Sequence, residues 1–231
     1  ILDQYLALVD RRKKGEPFPY IVGLQDFYSR SFFVNNNVLI PRPDTETLID
    51  EILKELSFHP AHHLLDLGTG SGCIAITLAK ECDNLEVTAT DSSPKALEVA
   101  RINAQKHDAN VHFSLGNWYD AIGHEARFDI IVSNPPYIDK NDPHLSELTY
   151  EPLSALTDHS NGLSDLKQII AGAPDHLYKN GLLILEHGWD QGSQVRALFD
   201  TDLWDCPITI KDLGGNDRVT KARLKSTDSG S

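Results

Sequence analysis

A glycine-rich turn between an apolar strand pattern and an apolar helix pattern most constrains the fold of this 231-residue chain. It follows Leu64-Leu65 and reads Asp66-Leu67-Gly68-Thr69-Gly70-Ser71-Gly72. Glycine permits unusual backbone conformations and close approach of a ligand, and the free N–H groups of the next helix add donors. The alternate glycines indicate a nucleotide-binding turn that is neither the dinucleotide fingerprint nor a Walker A loop. Asp66 favours a cationic ligand, and the alternative is a purely structural turn.

Strand and helix patterns alternate along the rest of the chain. Strands are predicted near 62–67, 86–91, 111–115, 128–133 and 181–187, helices near 72–81, 94–107, 163–178 and 190–200, and two final strands near 205–211 and 217–223. This alternation predicts an α/β fold, in which a doubly wound, mostly parallel sheet is covered by helices on both faces.

The segment before this region is predicted to form two smaller pieces. Residues 17–43 alternate aromatic and polar side chains around Asn35-Asn36-Asn37, which indicates a β-hairpin linker. Residues 44–57 indicate a helix with Asp44 as its N-cap. The linker and this helix therefore lead into the first strand of the sheet.

The tetrapeptide Asn134-Pro135-Pro136-Tyr137 directly follows the apolar strand pattern at 128–133. Prolines cannot continue a central strand, so the chain leaves the sheet at its carboxyl edge, where open α/β sheets bind ligands. The Asn134 side-chain oxygen and the Pro135 carbonyl offer two acceptors, and Tyr137 offers a flat face. This set suits a planar NH2 group. The alternative is a strand end with a proline turn.

Two further residues stand at predicted strand ends. Asp91 ends the second strand, where a carboxylate can accept hydrogen bonds from both hydroxyls of a ribose. It is also a candidate N-cap for the helix from about Pro94. Trp118 follows the third strand, where its indole could cover an adenine ring, and core packing is an equally good interpretation.

Composition limits the compartment and the partners. The chain has 34 acidic and 21 basic residues and a formal net charge of −13, whereas DNA-binding enzymes usually present a basic face. Cys73, Cys82 and Cys206 are scattered, which is typical of free thiols in a reducing compartment. No signal-peptide pattern or long apolar stretch is present, and no residues have metal-ligand spacing. We therefore expect a cytoplasmic protein with no membrane association, no stable nucleic acid and no metal.

These motifs together resemble the class I S-adenosylmethionine-dependent methyltransferases. The Asn-Pro-Pro-Tyr tetrapeptide narrows the resemblance to enzymes that methylate planar NH2 groups. Further stretches resemble the HemK/PrmC family, the protein-(glutamine-N5) methyltransferases that modify peptide-chain release factors. They are Tyr20-Ile21-Val22-Gly23, Leu39-Ile40-Pro41-Arg42-Pro43-Asp44-Thr45-Glu46, Ser133 through Asp139, Glu151 through Leu156, Leu185-Glu186-His187-Gly188 and Asp217-Arg218-Val219-Thr220.

The resemblance implies a seven-stranded sheet with its last strand inserted antiparallel. It implies S-adenosylmethionine as cofactor, S-adenosylhomocysteine as product, bacterial class I release factors as partners, and Arg42 and Glu46 near the cofactor cleft. The cofactor-binding residues would be Gly68, Thr69, Gly70, Ser71, Gly72, Asp91, Trp118 and Asn134. Asn134, Pro135, Pro136 and Tyr137 would bind substrate, with Asn134, Pro135 and Tyr137 catalytic. The expected organisation is a remnant of an N-terminal helical substrate-binding domain at 1–16, the linker at 17–43, the methyltransferase domain at 44–223 and a disordered tail at 224–231.

Two other functions remain as alternatives. A DNA adenine-N6 methyltransferase would use the same tetrapeptide, but it needs a target-recognition domain and a basic groove, and its base must be flipped out of the stack. A non-enzymatic subunit that binds the cofactor is disfavoured because the whole acceptor tetrapeptide is present. Glu186 and His187 also end a strand, and neither is assigned as a base.

Overall fold

The computed structural model describes residues 2–226. Most of the predicted tail, residues 227–231, lies outside this part of the chain, as does Ile1. The start of that tail is paired with the domain, since Leu224 forms a β-bridge with Trp204. The Lys225 N–H likewise donates to the Leu203 carbonyl.

The described elements follow the predicted alternation closely. The helices are α1 (Leu2–Lys13), α2 (Phe18–Val22), α3 (Glu46–Phe58), α4 (Cys73–Glu81), α5 (Pro94–Lys106), α6 (Ser164–Gly172) and α7 (Gly192–Arg196). The strands are β1 (Leu24–Phe27), β2 (Arg30–Phe33), β3 (His63–Leu67), β4 (Glu86–Asp91), β5 (Val111–Leu115), β6 (Phe128–Ser133), β7 (Leu177–Glu186), β8 (Ile208–Lys211) and β9 (Asp217–Arg223).

The main sheet has seven strands in the order β5-β4-β3-β6-β7-β9-β8. Strands β3 to β7 pair in parallel, and β9 lies antiparallel between β7 and β8. This confirms the predicted fold class, including the inserted last strand. The chain steps outward from β3 to β5 and then returns to β6 on the other side of β3. That reversal opens a crevice at the carboxyl ends of β3 and β6.

Apolar side chains bury both faces of the sheet. On β3, Leu64 belongs to one core cluster and Leu65 to the other. On β6, Ile130 and Val132 face the first cluster, and Ile131 faces the second. Successive strand residues point to opposite faces, so a strand covered on both sides reads as a continuous apolar run. The core therefore holds the strand ends at the crevice in a fixed register.

The hairpin before the main sheet is placed differently from the prediction. Its two-residue turn is Tyr28-Ser29, and both residues have positive φ angles, 46° and 59°. Such angles are typical of the primed turns that match strand twist. The centre predicted at Asn35-Asn36-Asn37 is therefore wrong. Phe27 and Phe32 from the two strands are buried in the first core cluster.

Two predicted helix limits also need correction. The helix predicted from 44 begins at Glu46 after a 3-10 turn, so Asp44 is not its N-cap. The helix predicted over 163–178 ends at Gly172, since the next residues form a 3-10 turn that contains Pro174. Proline cannot supply the N–H that an α-helix would need there.

A charge cluster joins α3 to β9. Lys221 contacts Glu51 and donates to Glu55 at 2.6 Å, and Arg223 also contacts Glu55. Burial raises the pKa of Glu55, but hydrogen bonds from Lys221 and Arg223 outweigh it and hold the pKa below the ordinary value. These side chains are mostly buried, so the loss of one cation leaves carboxylates without a partner in a poorly solvated place.

Lys221→Met is expected to lower the free energy of unfolding by about 3 kcal/mol. Because the pKa of Glu55 is lowered in the folded state, the stabilisation is present above its unfolded pKa and is lost as the pH falls through the folded pKa. The difference between variant and wild type should therefore shrink in acid. Urea denaturation at neutral and acidic pH measures it. Lys54→Met removes an exposed partner of Glu51 and should cost less than about 1 kcal/mol. Equal losses would contradict this account.

Candidate active site

A cavity of about 300 Å³ opens at the carboxyl ends of β3, β4 and β6. The predicted site residues that line it are Gly68, Thr69, Gly70, Ser71, Asp91, Trp118, Asn134 and Pro136. Three predicted residues, Gly72, Pro135 and Tyr137, do not line it. The strand-end positions thus bring together motifs that are far apart in the sequence.

The glycine-rich turn forms the floor of the cavity. Gly68, Gly70 and Gly72 all have positive φ angles, between 56° and 82°, a region that glycine adopts without strain. The Thr69 hydroxyl donates to Asp66 at 2.6 Å. Asp66 is fully buried, and burial raises its pKa to about 7 although the Thr69 hydrogen bond opposes the shift. Asp66 therefore shapes the turn from behind, which corrects its expected role opposite a cationic ligand.

Asp91 lines the cavity at the end of β4. Its carboxylate accepts hydrogen bonds from the Gly70 N–H at 2.9 Å and the Ser93 N–H at 2.8 Å. Burial raises its pKa, and these two hydrogen bonds oppose the shift. The N-cap of α5 is Ser93, whose hydroxyl accepts from the Ala96 N–H. Asp91 is therefore not the cap, and its carboxylate braces the glycine turn while it borders the cavity.

Trp118 lies between the cavity and the core. It lines the cavity, and its ring also packs against the second core cluster. The ring lies over Gly68, where a Cβ atom would stand 3.2 Å from it. A larger residue at position 68 would therefore displace the indole.

Asn134 points into the cavity from the exit of β6. The preceding Ser133 donates its hydroxyl to the Leu67 carbonyl at 2.7 Å, which ties this exit to that of β3. The Asn134 amide nitrogen donates to the Thr45 hydroxyl at 3.3 Å. Among residues 2–226, no hydrogen bond reaches Oδ1 of Asn134 or the Pro135 carbonyl. Asn134 Oδ1 is therefore available as an acceptor at the cavity, while the Pro135 carbonyl belongs to a buried residue that does not line it.

Tyr137 turns away from the cavity and packs against the second core cluster. Its hydroxyl donates to Glu186 Oε1 at 3.3 Å, and its carbonyl accepts from the Gln191 side chain at 2.9 Å. Sequence reasoning did not identify the parts played by Glu186, Gln191 and Thr45. The available signals were the strand-end position of Glu186 and the presence of Glu186 and Thr45 in stretches that carry the family resemblance.

A separate wall of the cavity comes from the segment before α3. Arg42 lines the cavity and pairs with buried Glu151, which also accepts the Ile40 N–H at 3.0 Å. This agrees with the position that the family resemblance implied for Arg42. Glu46 instead accepts the Tyr28 N–H at 2.8 Å and does not line the cavity.

Comparisons with known proteins identify relatives of high similarity. The chain is 45% identical over 236 residues to the release factor glutamine methyltransferase of Pasteurella multocida, which covers 95% of this chain and 79% of that protein. It is 48% identical over 216 residues to the enzyme of that name from Neisseria gonorrhoeae, covering 92% and 78%. The Salmonella typhimurium enzyme is 47% identical, covering 97% and 82%.

The chain belongs to the release factor glutamine methyltransferase family. Residues 43–150 also match the family model of the methyltransferase small domain. This stretch of the methyltransferase contains the glycine turn, Asp91 and the acceptor tetrapeptide. The glycine turn, Asp91 and the tetrapeptide therefore lie in the part that a general methyltransferase model recognises, whereas the stretches at 20–23, 151–156, 185–188 and 217–220 lie outside it.

Solved structures confirm the fold of this methyltransferase. A methyltransferase from Pyrococcus furiosus aligns with a TM-score of 0.64 at 18% identity, covering 94% of this chain and 99% of that one. The 16S rRNA N2 G1207 methyltransferase RsmC from T. thermophilus, solved with AdoMet and guanosine, aligns with a TM-score of 0.66 at 18% identity, covering 88% and 50%. Across the described residues, none of the helices is both long and apolar enough to cross a membrane.

Proposed function

We propose that this enzyme transfers a methyl group from S-adenosylmethionine to the side-chain amide nitrogen N5 of the glutamine in the Gly-Gly-Gln motif of peptide-chain release factors. The observation that supports it most is the position of Asn134. Its Oδ1 has no hydrogen bond from residues 2–226, and it shares one cavity with the glycine turn and Asp91. Release factors act in the cytoplasm, which we infer to be the compartment of this enzyme.

The cavity has the form that the proposed cofactor needs. Its volume of about 300 Å³ is at the lower end of the range for small-molecule sites. A Cβ atom added at Gly70 would have no neighbouring atom within 4 Å, so this part of the backbone faces open space. We propose that the glycine turn holds the cofactor backbone, that Asp91 accepts from its ribose hydroxyls, and that Trp118 covers its adenine. When bound, the cofactor supplies a methyl group on a sulfonium, which is a strong electrophile.

The enzyme must hold a poor nucleophile in the correct orientation. The lone pair of an amide nitrogen is delocalised into its carbonyl. The rate enhancement therefore comes from alignment of this nitrogen with the methyl donor. We propose that Asn134 Oδ1 and the Pro135 carbonyl each accept one N–H of the glutamine amide. The Thr45 contact holds the Asn134 amide nitrogen and so leaves Oδ1 to face the substrate.

These two hydrogen bonds would strengthen during the reaction. As the methyl group is transferred, the nitrogen gains positive charge and its N–H groups become better donors. Binding that improves toward the transition state accelerates the chemical step. The methylated nitrogen is then acidic enough to lose a proton without a dedicated base. Tyr137 does not line the cavity, so it would support the two acceptors from the side away from the cavity.

Radiolabel transfer tests the proposal against its alternatives. The protein is incubated with tritiated S-adenosylmethionine and one of three substrates: a bacterial class I release factor, its variant with the glutamine of Gly-Gly-Gln replaced by alanine, or duplex DNA. We expect label on the first substrate only. Label on the glutamine-to-alanine variant would contradict the proposed target, and label on DNA alone would favour the adenine-N6 function.

Asp91→Ala is expected to weaken cofactor binding by about 10-fold to 100-fold. The variant loses the proposed ribose acceptor and leaves the Gly70 N–H without its partner. Isothermal titration with S-adenosylhomocysteine measures the Kd. Asp83→Ala changes an exposed carboxylate outside this cavity and should leave the Kd unchanged. Unchanged binding by Asp91→Ala would exclude Asp91 from the cofactor site.

A further inference from the structure

The exit of β7 holds Tyr137 at two separate points. Glu186, the last residue of β7, accepts the Tyr137 hydroxyl at 3.3 Å. Gln191, five residues later, donates its side-chain amide to the Tyr137 carbonyl at 2.9 Å. Tyr137 belongs to the exit of β6, so these contacts join two neighbouring strand exits. We call Glu186 and Gln191 the Tyr137 clamp.

The Gln191 side chain is fixed by several backbone groups. Its oxygen accepts the Gly188 N–H at 2.8 Å, and its nitrogen donates to the carbonyls of Tyr137 and Gly162 at 2.9 and 3.3 Å. This pattern fixes the amide orientation, because the oxygen meets a donor and the nitrogen meets two acceptors. Gln191 is also buried. Its amide therefore connects the backbone at Tyr137 and Gly162 with the turn at Gly188.

Gly162 packs directly against the same carbonyl. A Cβ atom at this position would lie 2.3 Å from the Tyr137 oxygen and 3.0 Å from its carbonyl carbon. Gly162 also has a φ of +78°, which other residues rarely adopt. The Tyr137 carbonyl is thus packed closely against both the Gly162 backbone and the Gln191 side chain.

Glu186 is also linked to Asn134 through the side chain of Thr45. The Thr45 side chain lies beside the Glu186 carboxylate and also accepts from the Asn134 amide. Glu186 is only 1% exposed, and in residues 2–226 its Oε2 has no hydrogen-bond partner. A buried carboxyl group in such surroundings is costly for stability. Its carboxylate lies between Tyr137 and Thr45 and contacts both side chains.

We propose that Glu186 and Gln191 are positioning residues for methyl transfer, which fix the Asn134 and Pro135 acceptors by holding Tyr137 at its hydroxyl and at its carbonyl. This inference rests on the proposed function, because it concerns the same acceptor loop. Misplacement of a reacting group by about 1 Å can cost about 10²-fold in rate. Loss of the clamp should therefore lower kcat while cofactor affinity and KM for the release factor stay nearly constant.

A double-mutant cycle tests whether Glu186 acts through Tyr137. Glu186→Ala should lower kcat by about tenfold or more, and Glu186→Gln, which keeps an acceptor for the hydroxyl, should restore kcat to within about threefold of wild type. In a Tyr137→Phe background, Glu186→Ala should lower kcat by a smaller factor than in wild type, because the Tyr137 contact is already lost and only the Thr45 contact remains. Tyr119→Phe, which removes another buried tyrosine hydroxyl bonded to the Ile169 carbonyl, is the matched control with unchanged kcat. If Glu186→Ala lowered kcat by the same factor with Tyr137 as with Phe at position 137, the proposal would be overturned.

Hydrogen–deuterium exchange tests the clamp without any activity assay. Ile138 and Lys140 donate their N–H groups to the carbonyls of Leu156 and Ser160, so a looser loop should exchange faster there. Gln191→Ala should raise exchange in residues 137–140 and lower kcat by about tenfold, whereas Gln105→Ala on the exposed face of α5 should change neither. Unchanged exchange in Gln191→Ala would overturn the clamp.

The two failures can be distinguished. If the wild-type protein transfers no methyl group to the release factor glutamine, the proposed function fails, while exchange still decides whether the clamp orders the loop. If the wild-type protein is active and both clamp variants keep wild-type kcat, the positioning role alone is wrong. Should Glu186→Ala fail to fold by circular dichroism, Gln191→Ala decides the proposal by itself.

Discussion

Asn134→Ala is expected to lower kcat for release factor methylation by about 10²–10³-fold. The variant removes the one side-chain oxygen of the acceptor tetrapeptide that borders the cavity. The hydrogen bond it would make is stronger in the transition state than in the bound substrate, so the loss appears in kcat more than in KM. Single-turnover methylation with saturating cofactor measures the chemical step directly.

The matched control for this prediction is Asn141→Ala. Asn141 follows the tetrapeptide on an exposed loop, and its side chain contacts Asp139. This variant should keep wild-type kcat. The S-adenosylhomocysteine Kd of Asn134→Ala should change by less than about tenfold, since the glycine turn and Asp91 remain. If Asn134→Ala lowered kcat only slightly, or if weaker cofactor binding explained the whole loss, Asn134 would not be the acceptor for the substrate amide.

Gly162→Ala is expected to lower kcat by about 10²-fold and to destabilise the fold by about 1–3 kcal/mol. The new methyl group would lie 2.3 Å from the Tyr137 carbonyl oxygen, so the peptide that follows the acceptor pair must move. The backbone at Gly162 also has a φ of +78°, which alanine adopts only with strain. Thermal unfolding and single-turnover methylation measure the two effects separately.

Gly123→Ala serves as the control for added bulk. A Cβ atom at Gly123 would meet nothing within 4 Å, so this variant should have nearly wild-type stability and activity. A crystal structure of Gly162→Ala soaked with S-adenosylhomocysteine would show whether the Tyr137 peptide has shifted. If Gly162→Ala kept wild-type kcat, the position of this peptide would not matter for the reaction.

The fold and the strand exits could be predicted because they depend on local patterns. Apolar runs such as 128–133 must form strands buried on both faces, and the prolines at 135 and 136 must end the central strand. Asp91 and Asn134 each stand at the end of a predicted strand, and the family resemblance implied that both bind the cofactor. The structure places both at one cavity.

The contacts behind the cavity could not be predicted from the sequence in the same way. Tyr137 was expected to face the substrate; its ring is partly buried against the second core cluster, and its partners Glu186 and Gln191 lie about fifty residues away in the chain. A tyrosine after two prolines can turn to either side, and here its contacts with Glu186, Gln191 and the second core cluster set its direction. Asp66 was expected to face a cationic ligand, but it is a fully buried residue of β3 whose carboxylate accepts the Thr69 hydroxyl.

Peptide mapping by tandem mass spectrometry tests the central claim most directly. A release factor is incubated with S-adenosylmethionine and either wild-type enzyme or Asn134→Ala, then digested and sequenced. We expect one added methyl group on the glutamine of Gly-Gly-Gln with the wild-type enzyme, and little of it with Asn134→Ala in the same time. A methyl group on another residue, or equal modification by both proteins, would contradict it.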